Sequence, residues 1–236
     1  MFVKGMVPNT WNSFDTSVMF PLSYPGTTPA MDMTSPDMVC RTANMSIPPA
    51  NVLAVTSDQT LYIQFDTNNR SPINTGYMSD KNIWGPCTVY LASTTKVNNT
   101  YRWFNIYSYA GDGTAWCSEK IVGNAGTLGV PMKKNLKSGT YIIRVEIIGL
   151  NMANTQNSLN KAMGAQIFST CGMIQYTNTI GGTDAPAGVV FPGYYDPTNT
   201  VSLLVDPMLT KAISYTLPAP PEYAPATHDG GSGVTP

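Results

Sequence analysis

The sequence predicts an all-β sandwich, and three observations carry that prediction. Short runs rich in Val, Ile, Tyr and Thr recur between Gly, Pro and Asn turn signals. One long run alternates sides over eleven residues, and helical periodicity is weak throughout.

The predicted strands are residues 51–55, 61–66, 87–92, 101–107, 140–150, 165–176 and 201–205. Within 140–150, Ile142, Arg144, Glu146 and Ile148 share one face, while Tyr141, Ile143, Val145 and Ile147 share the other. Apolar residues on both faces mark a central strand. Arg144 and Glu146, two residues apart on one side, are placed for an ion pair or a hydrogen-bond network. Residues 21–36, 151–161 and 180–192 are long connections dense in Gly, Pro, Asn and Thr, the kind of loop that carries binding on a rigid sandwich. From Pro218 the chain reads as an extended segment running into a flexible linker, so the expected division is a domain of 1–217 and a Pro/Gly-rich tail of 218–236.

At 236 residues and 25.4 kDa, one such domain uses most of the chain. Only 11% of residues are charged, against about 25% in ordinary soluble domains. The 19 Asn, 28 Thr and 17 Ser must therefore solvate the surface. A net charge of −1 without a basic block excludes nucleic acid and anionic membranes as partners. No apolar run approaches the roughly 20 residues of a membrane span. Residues 1–6 lack the features of a secretory leader although the rest reads as secreted, so the expectation is a leader removed or omitted.

Four widely spaced cysteines, Cys40, Cys87, Cys117 and Cys171, without a C-x-x-C pair and with one histidine in the chain, favour two disulfides over zinc. Three pairings are open, and an oxidising compartment is implied. Sequons at Asn44, Asn69 and Asn98 fit a secreted surface, the middle one weakened by Pro72. A Ser/His/Asp arrangement fails on the histidine count, no nucleotide-binding glycine motif occurs, and none of the 14 acids is singled out for glycoside hydrolysis. Thirteen methionines read as gap fillers rather than a copper(I) site.

Several stretches carry a family resemblance. From Gly139 to Ala153, GTYIIRVEIIGLNMA resembles the G-x-Y-L-L-R-x-E-I-I-A-L-H-x-A stretch of the fungal lytic polysaccharide monooxygenases of auxiliary activity family 9 (glycoside hydrolase family 61-like). Gly164 to Cys171, GAQIFSTC, is similar to that family's G-A-Q-x-Y-x-x-C, and Asp32 to Cys40, Gly85 to Tyr90 and Phe191 to Pro197 match further motifs. The resemblance implies an immunoglobulin- or fibronectin-like antiparallel β-sandwich with long loops and a flat face toward polysaccharide. It also implies a Cys40–Cys171 disulfide, leaving Cys87 with Cys117.

Active members of the family hold a type 2 copper in a brace of an N-terminal histidine and a second imidazole, nitrogen donors suited to that metal. By the resemblance the second imidazole falls at Ile83, the outer histidine at Asn151 and the axial tyrosine at Phe168, and only Gln166 is kept. The sole histidine, His228, lies in the tail. The expectation is therefore no copper cofactor, no catalytic residue, and a secreted extracellular or cell-wall protein that binds polysaccharide such as cellulose or cell-wall glucan, or serves in adhesion or structure. Tyr194, Tyr195, Trp84 and Trp11 are the candidate sugar-stacking aromatics, since aromatic rings offer flat apolar area. Core packing is the ordinary role for each. The alternatives are a polysaccharide-cleaving oxidoreductase with an unusual N-terminal copper site, and a self-assembling extracellular structural protein, the latter suggested by low charge.

Overall fold

A computed structural model describes residues 2–6, 18, 20, 28–41, 45, 48–66, 84–124, 126–161, 163–206 and 215–224. Among these residues eight strands and two short helices run in the order β1 (Phe2–Met6), α1 (Asp37–Cys40), β2 (Leu53–Thr56), β3 (Thr60–Asp66), β4 (Cys87–Ser93), β5 (Phe104–Tyr109), α2 (Cys117–Gly123), β6 (Thr127–Pro131), β7 (Gly139–Gly149) and β8 (Gln166–Thr177). They form a three-stranded sheet, β1-β3-β6, and a five-stranded sheet, β2-β8-β7-β4-β5.

β7 is the central strand that its alternation predicts. It pairs with β8 from Gly139↔Tyr176 to Gly149↔Gln166 and with β4 from Cys87↔Ile147 to Ser93↔Tyr141. Its Tyr141, Ile143, Val145 and Ile147 join Leu61, Ile63, Phe65, Leu128 and Val130 of the small sheet in one core. Its Ile142 and Ile148 face a second core, whose other wall is made by Met38 of α1 and by loop residues such as Phe20, Met33, Phe191, Leu203 and Tyr215. The large sheet is thus covered by a sheet on one face and by loops on the other.

The structure departs from the sequence reading in several places. Residues 201–205 form turns, not a strand: the amides of Ser202, Leu203 and Leu204 all donate to the Asn199 carbonyl, while Leu203 and Val205 are buried in the loop-side core. Hydrophobic burial alone accounts for that apolar run. The strand expected at 101–107 begins at Phe104, because Trp103 pairs with Val189 outside the sheet. β2 lies parallel to β8, so the sandwich is not wholly antiparallel. β2 can run either way because the next strand, β3, enters the other sheet and no hairpin dictates its direction. β1, β6 and both helices escape the pattern reading. β6 carries Gly129 and ends in Pro131, residues that weaken a strand signal but suit an edge. α2 is seven residues long and is started by Glu119, whose carboxylate accepts from the Trp116 amide at 2.7 Å.

Residues 218–224, expected to open the tail, are extended but packed. The Tyr223 amide donates to the Asn105 carbonyl (2.7 Å), Asn105 Nδ2 donates to the Pro220 carbonyl (2.9 Å), and Glu222 accepts from the Ser108 amide (2.6 Å) and pairs with Lys133 (3.1 Å). This strap covers β5, the edge of the large sheet, whose free backbone groups would otherwise template further pairing. The packed unit therefore extends past 217, and residues 225–236 lie outside the described residues.

Both disulfides form as the resemblance implied. Cys40–Cys171 ties α1 to β8, and Cys87–Cys117 ties the start of β4 to the start of α2. They close chain separations of 131 and 30 residues. By loop-closure entropy their loss costs about 5 and about 4 kcal/mol respectively. Denaturant unfolding of the Cys40→Ser/Cys171→Ser and Cys87→Ser/Cys117→Ser pairs is expected to rank in that order. The reverse ranking would mean that native packing around Cys87 and Cys117, rather than chain entropy, sets the value of these staples.

Candidate functional site

One end of the large sheet gathers the positions singled out by the sequence. Here β4 begins, β7 ends and β8 begins. The Ile148 amide donates to the Pro86 carbonyl (3.1 Å) and the Leu150 amide to that of Trp84 (2.8 Å), which carries the pairing back beyond the first residue of β4. Gly85 allows this approach, since a Cβ there would sit 1.7 Å from the Ile148 carbonyl oxygen.

Gly149 opens a notch on the same end. A Cβ on it would lie 3.2 Å from the Phe168 ring, 3.3 Å from Gln166 Oε1 and 3.4 Å from Asn151 Oδ1. Three of the four expected positions, Asn151, Gln166 and Phe168, therefore converge on one spot, and Ile83 lies outside the described residues. Gln166 Nε2 donates to the Met152 sulfur at 3.5 Å, while Asn151 Oδ1 is buried without a donor. Phe168 is buried and brings no hydroxyl.

These three side chains offer no imidazole and no phenol to a type 2 copper. Asn151 brings an amide and Phe168 a phenyl ring to the positions where the resemblance expects imidazole and phenol, while Gln166 is the residue it expects. Among the described residues no group of three or more His, Cys, Asp or Glu is placed to hold a metal, and the single imidazole, His228, lies outside them.

The aromatic candidates separate. Tyr194 is 36% exposed, its ring set against Phe191 and Tyr195. Tyr195 corrects the expectation of a sugar-stacking ring: it is 5% exposed, and its hydroxyl is committed to Glu146 and Tyr90. Trp84 is half-buried against the loop-side core, and Trp11 lies outside the described residues. Asn98 sits on an exposed turn, whereas Asn44 and Asn69 are outside the described residues.

Beneath the loop bearing Tyr194 lies a buried polar cluster. Arg144 pairs with Glu146 (2.5 Å) and donates to the carbonyls of Val39 (2.8 Å) and Met38 (3.0 Å), and both charged side chains are wholly buried. Glu146 also accepts from Thr88 (2.9 Å) and from the Tyr195 hydroxyl, which lies 2.8 Å from that of Tyr90. The Phe191 ring lies 4.4 Å from the guanidinium carbon. Thr88 and Tyr90 were missed from sequence. The available signal was the alternation of β4, which sets them opposite Val89 and Leu91 on the same side as Arg144 and Glu146.

Compared with known proteins, residues 1–215 match the family model described as Auxiliary Activity family 9 (formerly GH61). The chain is 29% identical over 232 residues to an AA9 family lytic polysaccharide monooxygenase A of Aspergillus fumigatus, covering 98% of this chain and 60% of that protein. It is 27% identical over 222 residues to a protein of the same description from Aspergillus niger, covering 93% of this chain and 50% of that protein. The chain thus spans little more than half the length of these relatives. The solved structure of CvAA9A superposes with a TM-score of 0.81 at 19% identity, covering 94% of this chain and 98% of that one. The extended catalytic domain of H. jecorina LPMO9A gives 0.65 at 22%, covering 92% and 83%. At such identities the two structures speak for the fold alone, a β-sandwich with few helices.

Burial raises the hydroxyls of Tyr90, Tyr195 and Tyr215 above the usual tyrosine value of 10.0, and the Glu146 charge adds to it. Burial works against the Arg144 guanidinium, but the Glu146 carboxylate, with the Tyr195 and Tyr90 hydroxyls, outweighs it and holds the group above its ordinary value. Between pH 10 and the folded-state values, unfolded chains ionise these tyrosines while folded ones do not. Their contribution to stability is therefore intact below pH 10 and is lost as pH rises beyond it. Absorbance titration at alkaline pH is expected to leave these three of the 13 tyrosines un-ionised until a cooperative unfolding step. Ionisation of all 13 near pH 10 in still-folded protein would contradict the buried cluster.

Proposed function

The chain belongs to Auxiliary Activity family 9, and from that premise we propose that it is a secreted relative of the lytic polysaccharide monooxygenases that binds cellulose or a cell-wall glucan without copper chemistry. One observation carries the reading: Asn151, Gln166 and Phe168 meet at the Gly149 notch, and none of them supplies the imidazole or phenol of the family's metal site. An amide can donate and accept hydrogen bonds with a sugar hydroxyl, so what remains at the sheet end is suited to binding.

The surface chemistry supports a neutral polymer as ligand. A glucan presents hydroxyls and flat apolar ring faces without charge, and this chain meets water with Asn, Thr and Ser rather than with ions. Tyr194 supplies an exposed ring braced by Phe191 and Tyr195. Both disulfides suit an oxidising route of export.

Copper(II) added to protein collected from its secreting cells, with the N-terminal peptide identified in the same sample, is expected to give no tightly bound type 2 signal by electron paramagnetic resonance. A stoichiometric signal, with oxidised oligosaccharides released from cellulose, would replace this reading by that of an oxidoreductase. Separately, Tyr194→Ala is expected to weaken cellulose binding in a pull-down by about 3- to 10-fold, the worth of one stacked ring of roughly 1 kcal/mol. Unchanged binding at unchanged thermal stability would remove Tyr194 from the binding surface.

A further inference from the structure

We propose that Asn98 carries an N-linked glycan, at the end of the large sheet opposite the one that holds Asn151 and Gln166. The inference rests on the secretion reading above and adds to it a named modification site.

Asn98-Asn99-Thr100 is an acceptor tripeptide for transfer of oligosaccharide to asparagine. In the structure it forms the tip of the connection between β4 and β5. The Val97 amide donates to the Thr100 carbonyl (2.9 Å) and the Thr100 amide to the Val97 carbonyl (3.0 Å), so Asn98 and Asn99 are the two central residues of a tight hairpin turn. Both have positive φ, 51° and 60°, the pairing of a type I′ turn, which asparagine tolerates better than other side chains bearing a Cβ. The Thr100 hydroxyl donates back to the Val97 carbonyl (2.8 Å), and Lys96 lies over the Tyr101 ring at 4.9 Å.

Residues 93–99 are all exposed, so the Asn98 amide can carry a large polar substituent without displacing any packed group. Val97, 50% exposed beside it, is an aliphatic surface that the first sugar would shield from water. β4 starts beside Gly85 at the sheet end and leads away to Ser93. Its seven residues, at about 3.4 Å each, set the hairpin roughly 20 Å from that end. A glycan there leaves the candidate binding surface open.

The chemistry is a group transfer from a lipid-linked oligosaccharide diphosphate, the donor of the secretory pathway. Asn98 Nδ2 bonds to C1 of the terminal N-acetylglucosamine as the C1–O bond to the diphosphate breaks. The amide loses one proton, the lipid diphosphate leaves, and no electrons are exchanged.

The test is mass spectrometry on the full chain expressed behind a secretory leader in a yeast host and collected from the medium. Trypsin, cutting after Lys96 and Arg102, releases residues 97–102 with Asn98 as the acceptor. That peptide is expected to carry N-acetylglucosamine and hexose, and to appear with Asp in place of Asn98 after peptide-N-glycosidase treatment. Asn98→Gly, which suits the positive φ, is expected to lose the glycan at unchanged thermal stability. Thr100→Ser is expected to keep it and Thr100→Val to abolish it. An unmodified 97–102 peptide from folded, disulfide-bonded protein in the medium would overturn the proposal. Because the leader enforces passage through the secretory pathway, that result would leave the secretion reading standing. The secretion reading fails on its own test, absence of the protein from the medium of its native cells.

Discussion

The buried ion pair of Arg144 and Glu146 is the constraint around which the loop side of this molecule is arranged. Two charges removed from water on a central strand are costly unless hydrogen bonds compensate them, and here all of the pair's polar atoms but Arg144 Nη1 find partners. The partners come from distant parts of the chain: the carbonyls of Met38 and Val39 at the end of α1, Thr88 on β4, and Tyr195 from the loop after β8. Arg144 thereby fixes α1, which Cys40 then locks to β8 through Cys171. Glu146 fixes Tyr195, and with it the neighbouring Tyr194 at the surface. The exposed candidate ring is held in place by a charge it never touches.

Coverage of the large sheet by loops follows from the same economy. A sheet whose central strand is apolar on both faces needs two layers against it. The small sheet supplies one. The other is assembled from α1 and from connections too rich in Gly, Pro and Asn to pair regularly, which place Met38 and Phe20, Phe191, Leu203 and Tyr215 over the sheet. Long loops here are a packed layer, and their outward side is free to vary for recognition.

This division explains what was legible in the sequence. β7 and β8 stood out because their alternation and length are set by local chemistry, and both faces of β7 came out as read. Asn151, Gln166 and Phe168 were legible through motif order, and the notch at Gly149 gathers them. The run 201–205 misled because an apolar stretch states only that it will be buried, not that its backbone will join a ladder. Tyr195 misled for a related reason. Adjacent tyrosines in a loop look equivalent, and only the position of Glu146, 49 residues away, turns one inward and leaves the other outside. The parallel pairing of β2 depends on where the chain goes next, which no local pattern encodes.

The strap of residues 218–224 also has a mechanical meaning. It is the last described segment, held side-on to β5 by Glu222, Tyr223 and the Pro220 carbonyl. Tension applied from the C-terminal side reaches those few contacts before it reaches any strand of either sheet. Contacts of that kind, with the Tyr223 ring against Phe104 among them, can release and re-form while the β7 ladder stays paired with β4 and β8. The strap thus yields at the edge strand β5 first, before the central strands that position the candidate site.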